Sequence, residues 1–236
     1  EIDACLVGSE MCIRDSIGDA IVAFYGAPAP VKDQEKKACS TSLEMHERLD
    51  HLRTKWKNEG EWPDIVYNMQ HRIGLNSGQM VTGNMGSEMR MNYTMMGDTV
   101  NLAARLEPAA KQYGVYILVG ENIYEATNDE YAFRFLDFLS VKGKTIPIKA
   151  YELIQTKESI NKKSIELVDL FEKGLDNYFN QKWDDAIKLF EKSVVLEDNF
   201  KGRNTNPSQV FIERCDYLKN NPPEPNWNGV WKMTSK

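Results

Sequence analysis

The chain has 236 residues, of which 29 are Lys or Arg and 35 are Asp or Glu, and its formal net charge is -6. This acidic balance, without any run of basic residues, excludes a general nucleic-acid binder, and no apolar stretch approaches the roughly 20 residues that span a bilayer. Four irregularly spaced cysteines exclude a disulfide scaffold and a zinc signature, and they indicate a reducing compartment.

The start of the chain is set apart from the fold. Residues 4–16 have neither helical nor strand periodicity and contain no turn cluster, and they resemble a translated sequencing adapter. We therefore expect residues 1–16 to be a non-native segment, and we derive the fold from Ile17 onward.

The first half of the remaining chain predicts strands around one long helix. An apolar run at residues 20–25, bounded by turn residues, is typical of a buried strand. Asp33 is predicted to cap a helix that ends before Gly60. Further strands are predicted at 72–76, 79–82 and 89–95, with a polar connection over 83–88.

The second half continues the alternation. A helix is predicted to begin at Asp98 or Thr99, and Gly114 lies where a left-handed residue would end it. A strand at 115–119, a helix at 121–127 and strands at 133–141 and 146–154 follow. Strands interleaved with helices predict an α/β or α+β sandwich.

The composition changes after Thr156. Residues 157–163 form a charged linker, and the pattern beyond it is helical. Five positions match part of a helix-turn-helix repeat of the tetratricopeptide type, namely Phe171, Gly174, Tyr178, Ala186 and Phe190. One repeat cannot bury a continuous core, so we expect it to pack on the main domain or on a third helix at 208–219, with the Trp-rich end as a strap. The predicted domains are therefore residues 17–156 and an all-α extension over 157–236.

Three features of the sequence could have a chemical role, and each also has a purely structural interpretation. Asp19 either belongs to a simple turn or offers a carboxylate to a hard cation such as Mg²⁺. Asn101 and Arg105 share one helix face, which is either solvated or able to bind a phosphate and a sugar. Lys142 and Lys144 form either a solvated turn or a phosphate clamp.

Four motifs change the balance between these alternatives. They are IGDAIVAFYGAP from residue 17, RIGLNSG with VTGNMGS from 72 and 81, YTMMGDTVNLAARLE from 93, and VKGK followed by YEL from 141 and 151. In this order and spacing they resemble the catalytic domain of class III nucleotidyl cyclases, over residues 17–153.

The resemblance implies a fold and an activity. The fold would be α+β, a ferredoxin-like α/β sandwich that forms a homodimer with shared active sites. The activity would be adenylate cyclase, which converts ATP to 3′,5′-cyclic AMP and pyrophosphate with two Mg²⁺ or Mn²⁺ ions per complete site.

The resemblance also implies roles for five residues. Asp19 would be a metal ligand, and Asn101 would orient the ribose. Arg105 would stabilise charge at the pentavalent phosphorus. Thr94 would accept a hydrogen bond from the adenine 6-amino group, and Lys142 would reach the terminal phosphates.

The chain departs from the family in two places. The strand that carries the first metal aspartate should precede Ile17 by several tens of residues, and the sequence has no counterpart. Asp15 stands where the family has a base-recognising lysine. We therefore expect an N-terminally truncated domain that is inactive by itself. We further expect it to be cytoplasmic, with a membrane anchor of the parent protein in upstream segments and a protein partner for the helical tail.

Two other functions stay open. A non-catalytic dimerisation or interaction module is favoured by the missing aspartate. A guanylate cyclase is the second alternative, against which Thr94 argues.

Overall fold

The computed structural model describes residues 12–17, 20–87, 90–139, 147–197, 204–224 and 226–231. Over these residues the fold is α+β, as predicted. The strands are β1 (Cys12–Ile17), β2 (Ala20–Phe24), β3 (Ile73–Leu75), β4 (Val81–Ser87), β5 (Arg90–Met96), β6 (Ile117–Gly120), β7 (Tyr131–Leu139) and β8 (Ile148–Thr156). The helices are α1 (Gln34–Glu59), α2 (Asp64–Tyr67), α3 (Asp98–Tyr113), α4 (Glu121–Thr127), α5 (Lys162–Phe179), α6 (Trp183–Val194) and α7 (Pro207–Asn220).

A four-stranded mixed sheet in the order β3-β6-β8-β7 organises the molecule. β3 and β6 are parallel, and the other neighbours in this sheet are antiparallel. The pairs β1-β2 and β4-β5 are separate antiparallel hairpins. The β4-β5 hairpin leads directly into α3, which packs on the four-stranded sheet.

Helices cover both faces of this sheet, because successive side chains of a strand point to opposite sides. On β6, Ile117 and Val119 pack with Cys39 of α1 in one buried cluster. Leu118 faces the other way and packs in the cluster that contains Leu106 of α3.

The C-terminal helices belong to the same core as α3. Phe171, Phe190 and Phe211, one from each of α5, α6 and α7, are fully buried in the cluster that contains Leu106. A Cβ on Gly174 would lie 2.6 Å from the Phe190 ring, so α5 and α6 are in close contact there. The sequence left open whether these helices pack on the main domain or on a third helix, and the structure shows both contacts. Their assignment to the tetratricopeptide type and the domain boundaries stay predictions.

The Trp-rich end packs back on these helices, as the strap prediction requires. The Trp227 ring lies 5.4 Å from that of Tyr178 and 5.8 Å from that of Trp183. The Trp231 ring lies 5.5 Å from that of Tyr217 on α7.

Two segments differ from the sequence-based prediction. The polar connection expected over 83–88 is wrong, because β4 continues to Ser87 in register with β5. The segment before Ile17, which shows no strand periodicity, contains β1, whose backbone pairs with β2. In both cases the backbone pairs with an antiparallel partner strand, a contact that the local residue pattern does not reveal.

The predicted helix ends are mostly confirmed. Gly60 and Gly114 have φ of 70° and 68° and end α1 and α3 in the left-handed conformation. Asp33 occupies the predicted N-cap position of α1, but its side chain makes no capping hydrogen bond. It adopts φ 53°, and its carbonyl accepts a hydrogen bond from the Lys37 amide at 3.0 Å.

Candidate active site

Thr94 lies near the end of β5, where the chain approaches α3. It pairs with Gly83 of β4 and is half-buried. Gly97 separates β5 from the helix and adopts φ 147°, a conformation that side chains disfavour. Thr94 is thus held at the strand end that leads into α3.

Asn101 and Arg105 occupy the first half of α3 and are both exposed. They are four residues apart and therefore share one face of the helix. The adjacent face, about 100° around the helix, is buried in the core through Leu102 and Leu106. The packing of α3 therefore orients an amide and a guanidinium together toward the surface.

The loop after β3 holds the start of α3. The Asn76 side-chain amide donates a hydrogen bond to the carbonyl oxygen of Thr99 at 3.1 Å. A Cβ on Gly78 would lie 2.8 Å from the Thr99 hydroxyl oxygen, so the loop backbone lies directly against the first turn of α3. Asn76 itself fits because Gly120, whose Cβ would lie 2.5 Å from the Asn76 side-chain oxygen, has no side chain.

β3 lies equally close to the middle of α3. A Cβ on Gly74 would lie 2.5 Å from the Ala103 carbonyl oxygen and 2.6 Å from the Glu107 amide nitrogen. Real Cβ atoms essentially never approach other atoms so closely, so only glycine permits this packing. The stretch between Asn101 and Arg105 therefore rests directly on β3.

A hydrogen-bonded carboxylate links the same loop to α1. The Ser77 hydroxyl donates to Glu35 at 2.6 Å, and the Asn122 amide donates to the Ser77 carbonyl at 2.6 Å. Burial opposes ionisation of Glu35, but hydrogen bonds from Ser77, its own amide and Gln34 outweigh it and lower its pKa. The loop that supports α3 is thus fixed from two helices.

Residues 6–155 match the model of the family described as the adenylate and guanylate cyclase catalytic domain. This match covers more than half of the chain. The chain belongs to this cyclase family.

One relative, which is named as an adenylate cyclase, is similar in sequence to most of this chain. Adenylate cyclase, terminal-differentiation specific, from Dictyostelium discoideum is 29% identical over 203 residues, which cover 84% of this chain and 9% of that protein. An alignment that covers 84% of this chain is longer than the family match at residues 6–155, so it includes part of the C-terminal helices. The chain spans less than a tenth of the length of that relative.

Solved cyclase structures of both kinds are similar to this fold. The adenylyl cyclase CyaB from P. aeruginosa aligns with a TM-score of 0.58 and 26% identity, over 68% of this chain and 80% of that one. The guanylyl cyclase Cya2 aligns with a TM-score of 0.55 and 26% identity, over 68% of this chain and 78% of that one.

The remaining predicted residues of this cyclase domain, Asp19 and Lys142, lie outside the described residues. Domains of this family act as dimers, bind a nucleotide and generally use divalent metal ions. In the described part of the chain, no group of three or more His, Cys, Asp or Glu side chains could hold a metal ion. None of the described helices is long and apolar enough to cross a membrane.

Sequence reasoning missed the residues that hold α3 in the cyclase domain. Gly74 and Asn76 belong to the motif RIGLNSG, which carried the resemblance but received no role. The detectable signal was the glycine two residues before an asparagine at the end of a strand. Their contacts are with α3 and β6, far away in sequence, so the pattern alone could not name the partners.

Proposed function

We propose that this chain carries the catalytic domain of an adenylate cyclase, which converts ATP to 3′,5′-cyclic AMP and pyrophosphate. The ribose 3′-oxygen forms a bond to the α-phosphorus, and the bond from that phosphorus to the oxygen bridging to the β-phosphate breaks. Pyrophosphate leaves with this oxygen, and the proton of the 3′-hydroxyl is released.

The exposed face of α3 supports this proposal most directly. The Asn101 amide can both donate to and accept from ribose oxygens, which suits a group that orients the sugar. The Arg105 guanidinium is permanently charged and carries several N–H donors in a fixed plane. It can therefore stabilise the negative charge that increases on the phosphoryl oxygens as the 3′-oxygen attacks.

Thr94 is our proposed contact to the base. Its hydroxyl can accept from the adenine 6-amino group, and adenylate cyclase names among the relatives favour the same substrate. GTP is the second candidate, because a hydroxyl can also donate to the guanine O6 and a guanylyl cyclase is among the similar structures.

The metal-binding part of the site rests on the resemblance. We propose that Asp19 binds a divalent cation, that Lys142 contacts the terminal phosphates, and that a homodimer shares each site between two protomers.

Complementation between two inactive proteins tests the proposal. The partner is a class III adenylate cyclase whose counterparts of Asn101 and Arg105 are replaced and whose metal aspartates are intact. In a mixed dimer, one pocket then has the partner's aspartates and this chain's Asn101, Arg105 and Thr94. We expect cyclic AMP production from the mixture and none from either protein alone.

Two variants of this chain identify the source of any activity. Arg105→Ala should lower the rate of the mixture by about 100- to 1,000-fold, as loss of a transition-state donor does. The control Lys111→Ala removes an exposed cation from another face of the same helix and should leave the rate unchanged. Mixed dimers without activity, or activity that survives Arg105→Ala, would contradict the proposal.

A further inference from the structure

The C-terminal helices are joined to the sheet by two buried ion pairs of opposite polarity. Arg134 of β7 donates to Glu197, which follows α6, at 2.7 Å. Arg214 of α7 donates to Asp137 of β7 at 2.6 Å. These four residues are at most 5% exposed, and each pair joins the sheet to the C-terminal extension. Without the extension, Arg134 would keep only Glu152 of β8 and Asp137 would keep only the Tyr113 hydroxyl, so both buried charges would be less well compensated.

The second pair also reaches the end of α3. The hydroxyl of Tyr113, the last residue of α3, donates to Asp137 at 2.6 Å, and Arg214 donates to the same hydroxyl at 3.3 Å. Burial and the nearby Asp137 carboxylate raise the pKa of Tyr113, so it stays a neutral donor. Burial alone would lower the pKa of Arg214, but Tyr113 and Asp137 raise it.

Aromatic packing fixes the Arg214 guanidinium in this position. Its central carbon lies 4.8 Å from the centre of the Phe211 ring and 5.1 Å from that of the Trp231 ring. It also lies 5.3 Å from the centre of the Tyr113 ring. A planar guanidinium between aromatic faces gains cation–π attraction and loses the freedom to take other orientations.

The backbone at the end of α3 makes a second contact with the extension. Gly114 is left-handed, and a Cβ there would overlap the carbonyl oxygen of Thr205, just before α7. Within α3, Pro108 cannot donate the backbone hydrogen bond that would reach Ala104. The backbone hydrogen bonding of α3 is therefore interrupted between its two ends, so the position of the helix depends on the contacts that fix each end.

We propose that the C-terminal helices are part of the catalytic unit and that Arg214 is a positioning residue. It acts through Asp137 and Tyr113 on α3, the helix that carries Asn101 and Arg105. This inference rests on the proposed function for its link to catalysis. Asn76 anchors the start of α3 and Arg214 anchors its end.

Hydrogen–deuterium exchange on the full chain tests the anchoring without any need for activity. Arg214→Lys keeps the charge, but an ammonium cannot reproduce the planar fork that contacts both Asp137 and Tyr113. Tyr113→Phe keeps the ring and removes only the hydroxyl. We expect both variants to increase exchange in α3 by about tenfold, while β6 and β8 keep their protection, since a local opening affects one element and global unfolding affects all.

A matched control and a kinetic measurement complete the test. Lys219→Met removes an exposed cation of α7 that pairs with Asp184 on α6, and it should leave α3 unchanged. In the complementing mixture, Arg214→Lys should lower kcat by about tenfold with a KM for ATP within about twofold, because Arg105 acts mainly on the transition state.

The outcomes separate the two proposals. Exchange in α3 that equals the wild type, or that rises equally in all strands, would overturn the positioning role whatever the activity. If the wild-type chain fails to complement its partner, the proposed function fails, and the exchange data still decide whether Arg214 positions α3. Selective exchange in α3 with kcat unchanged would overturn the link between the extension and catalysis.

Discussion

Gly74 of β3 lies beneath Ala103 of α3 with no space for a side chain between them, since a Cβ would lie 2.5 Å from the Ala103 carbonyl oxygen. Ala103 is midway between Asn101 and Arg105. The separation of strand and helix at this point therefore sets how far both candidate catalytic side chains project from the sheet.

Replacement of this glycine should destabilise the protein. Gly74→Ala should lower the free energy of unfolding by about 1 to 3 kcal/mol, because the added methyl group forces the helix away from the strand. Urea denaturation measures the loss. Gly83→Ala is the control, since a Cβ there meets nothing within 4 Å. Equal stability of the two variants would show that β3 and α3 are not in close contact.

Loss of the buried Glu197 carboxylate should lower the stability of the protein substantially, although Glu197 lies outside the sheet. Glu197→Ala leaves Arg134 with only Glu152, to which it donates at 2.8 and 2.6 Å. Because one partner of a buried ion pair is lost, we expect a cost of about 3 kcal/mol in thermal or urea unfolding. Glu191→Ala, at an exposed position on α6, should cost less than about 0.5 kcal/mol. Similar costs for both variants would contradict burial of the pair.

A histidine pair should make stability depend on pH. The ring of His46, on α1, lies 5.4 Å from that of His71, which precedes β3. Burial, the charge of His46 and that of Arg53 lower the pKa of His71 to about 4. The unfolded chain binds this proton near pH 6.5, so the contribution of His71 is present above pH 6.5 and is lost as the pH falls toward about 4.

Urea unfolding at about pH 7 and about pH 4.5 measures this dependence, and we expect His71 to account for about 2 kcal/mol of the difference. His71→Leu should reduce the difference, and His46, whose pKa is also lowered by burial, should contribute to what remains. His51→Leu, at an exposed position on α1, should not change it. An unchanged difference in His71→Leu would contradict the assignment.

Residues 15 and 94 should determine whether the complementing mixture prefers ATP or GTP. In the complementing mixture, Asp15→Lys restores the family's base-recognising cation, and we expect this variant to prefer ATP over GTP. Adding Thr94→Val, which removes the hydroxyl and keeps the shape, should lower kcat/KM for ATP by about tenfold, as loss of one base hydrogen bond does. Equal use of both nucleotides before that change would favour the guanylate cyclase alternative.

Local patterns were sufficient for most elements of the cyclase domain. Gly60 and Gly114 mark helix ends because a left-handed residue is a property of a few consecutive residues. The same reasoning failed for β4, where the exposed hairpin has no apolar alternation. Asn101 and Arg105 were assigned to one face because their spacing alone places them there.

The sequence by itself determined the family, most elements from Ala20 onward and the shared face of α3, since motifs and periodicity depend on neighbouring residues. Only the tertiary structure decided that the C-terminal helices belong to the core of the cyclase domain. Arg134 and Asp137 look in the sequence like solvent-facing charges of a strand, because a charged residue indicates exposure unless its partner is known. Their partners Glu197 and Arg214 are 63 and 77 residues away, and burial of a charge depends on exactly such distant contacts.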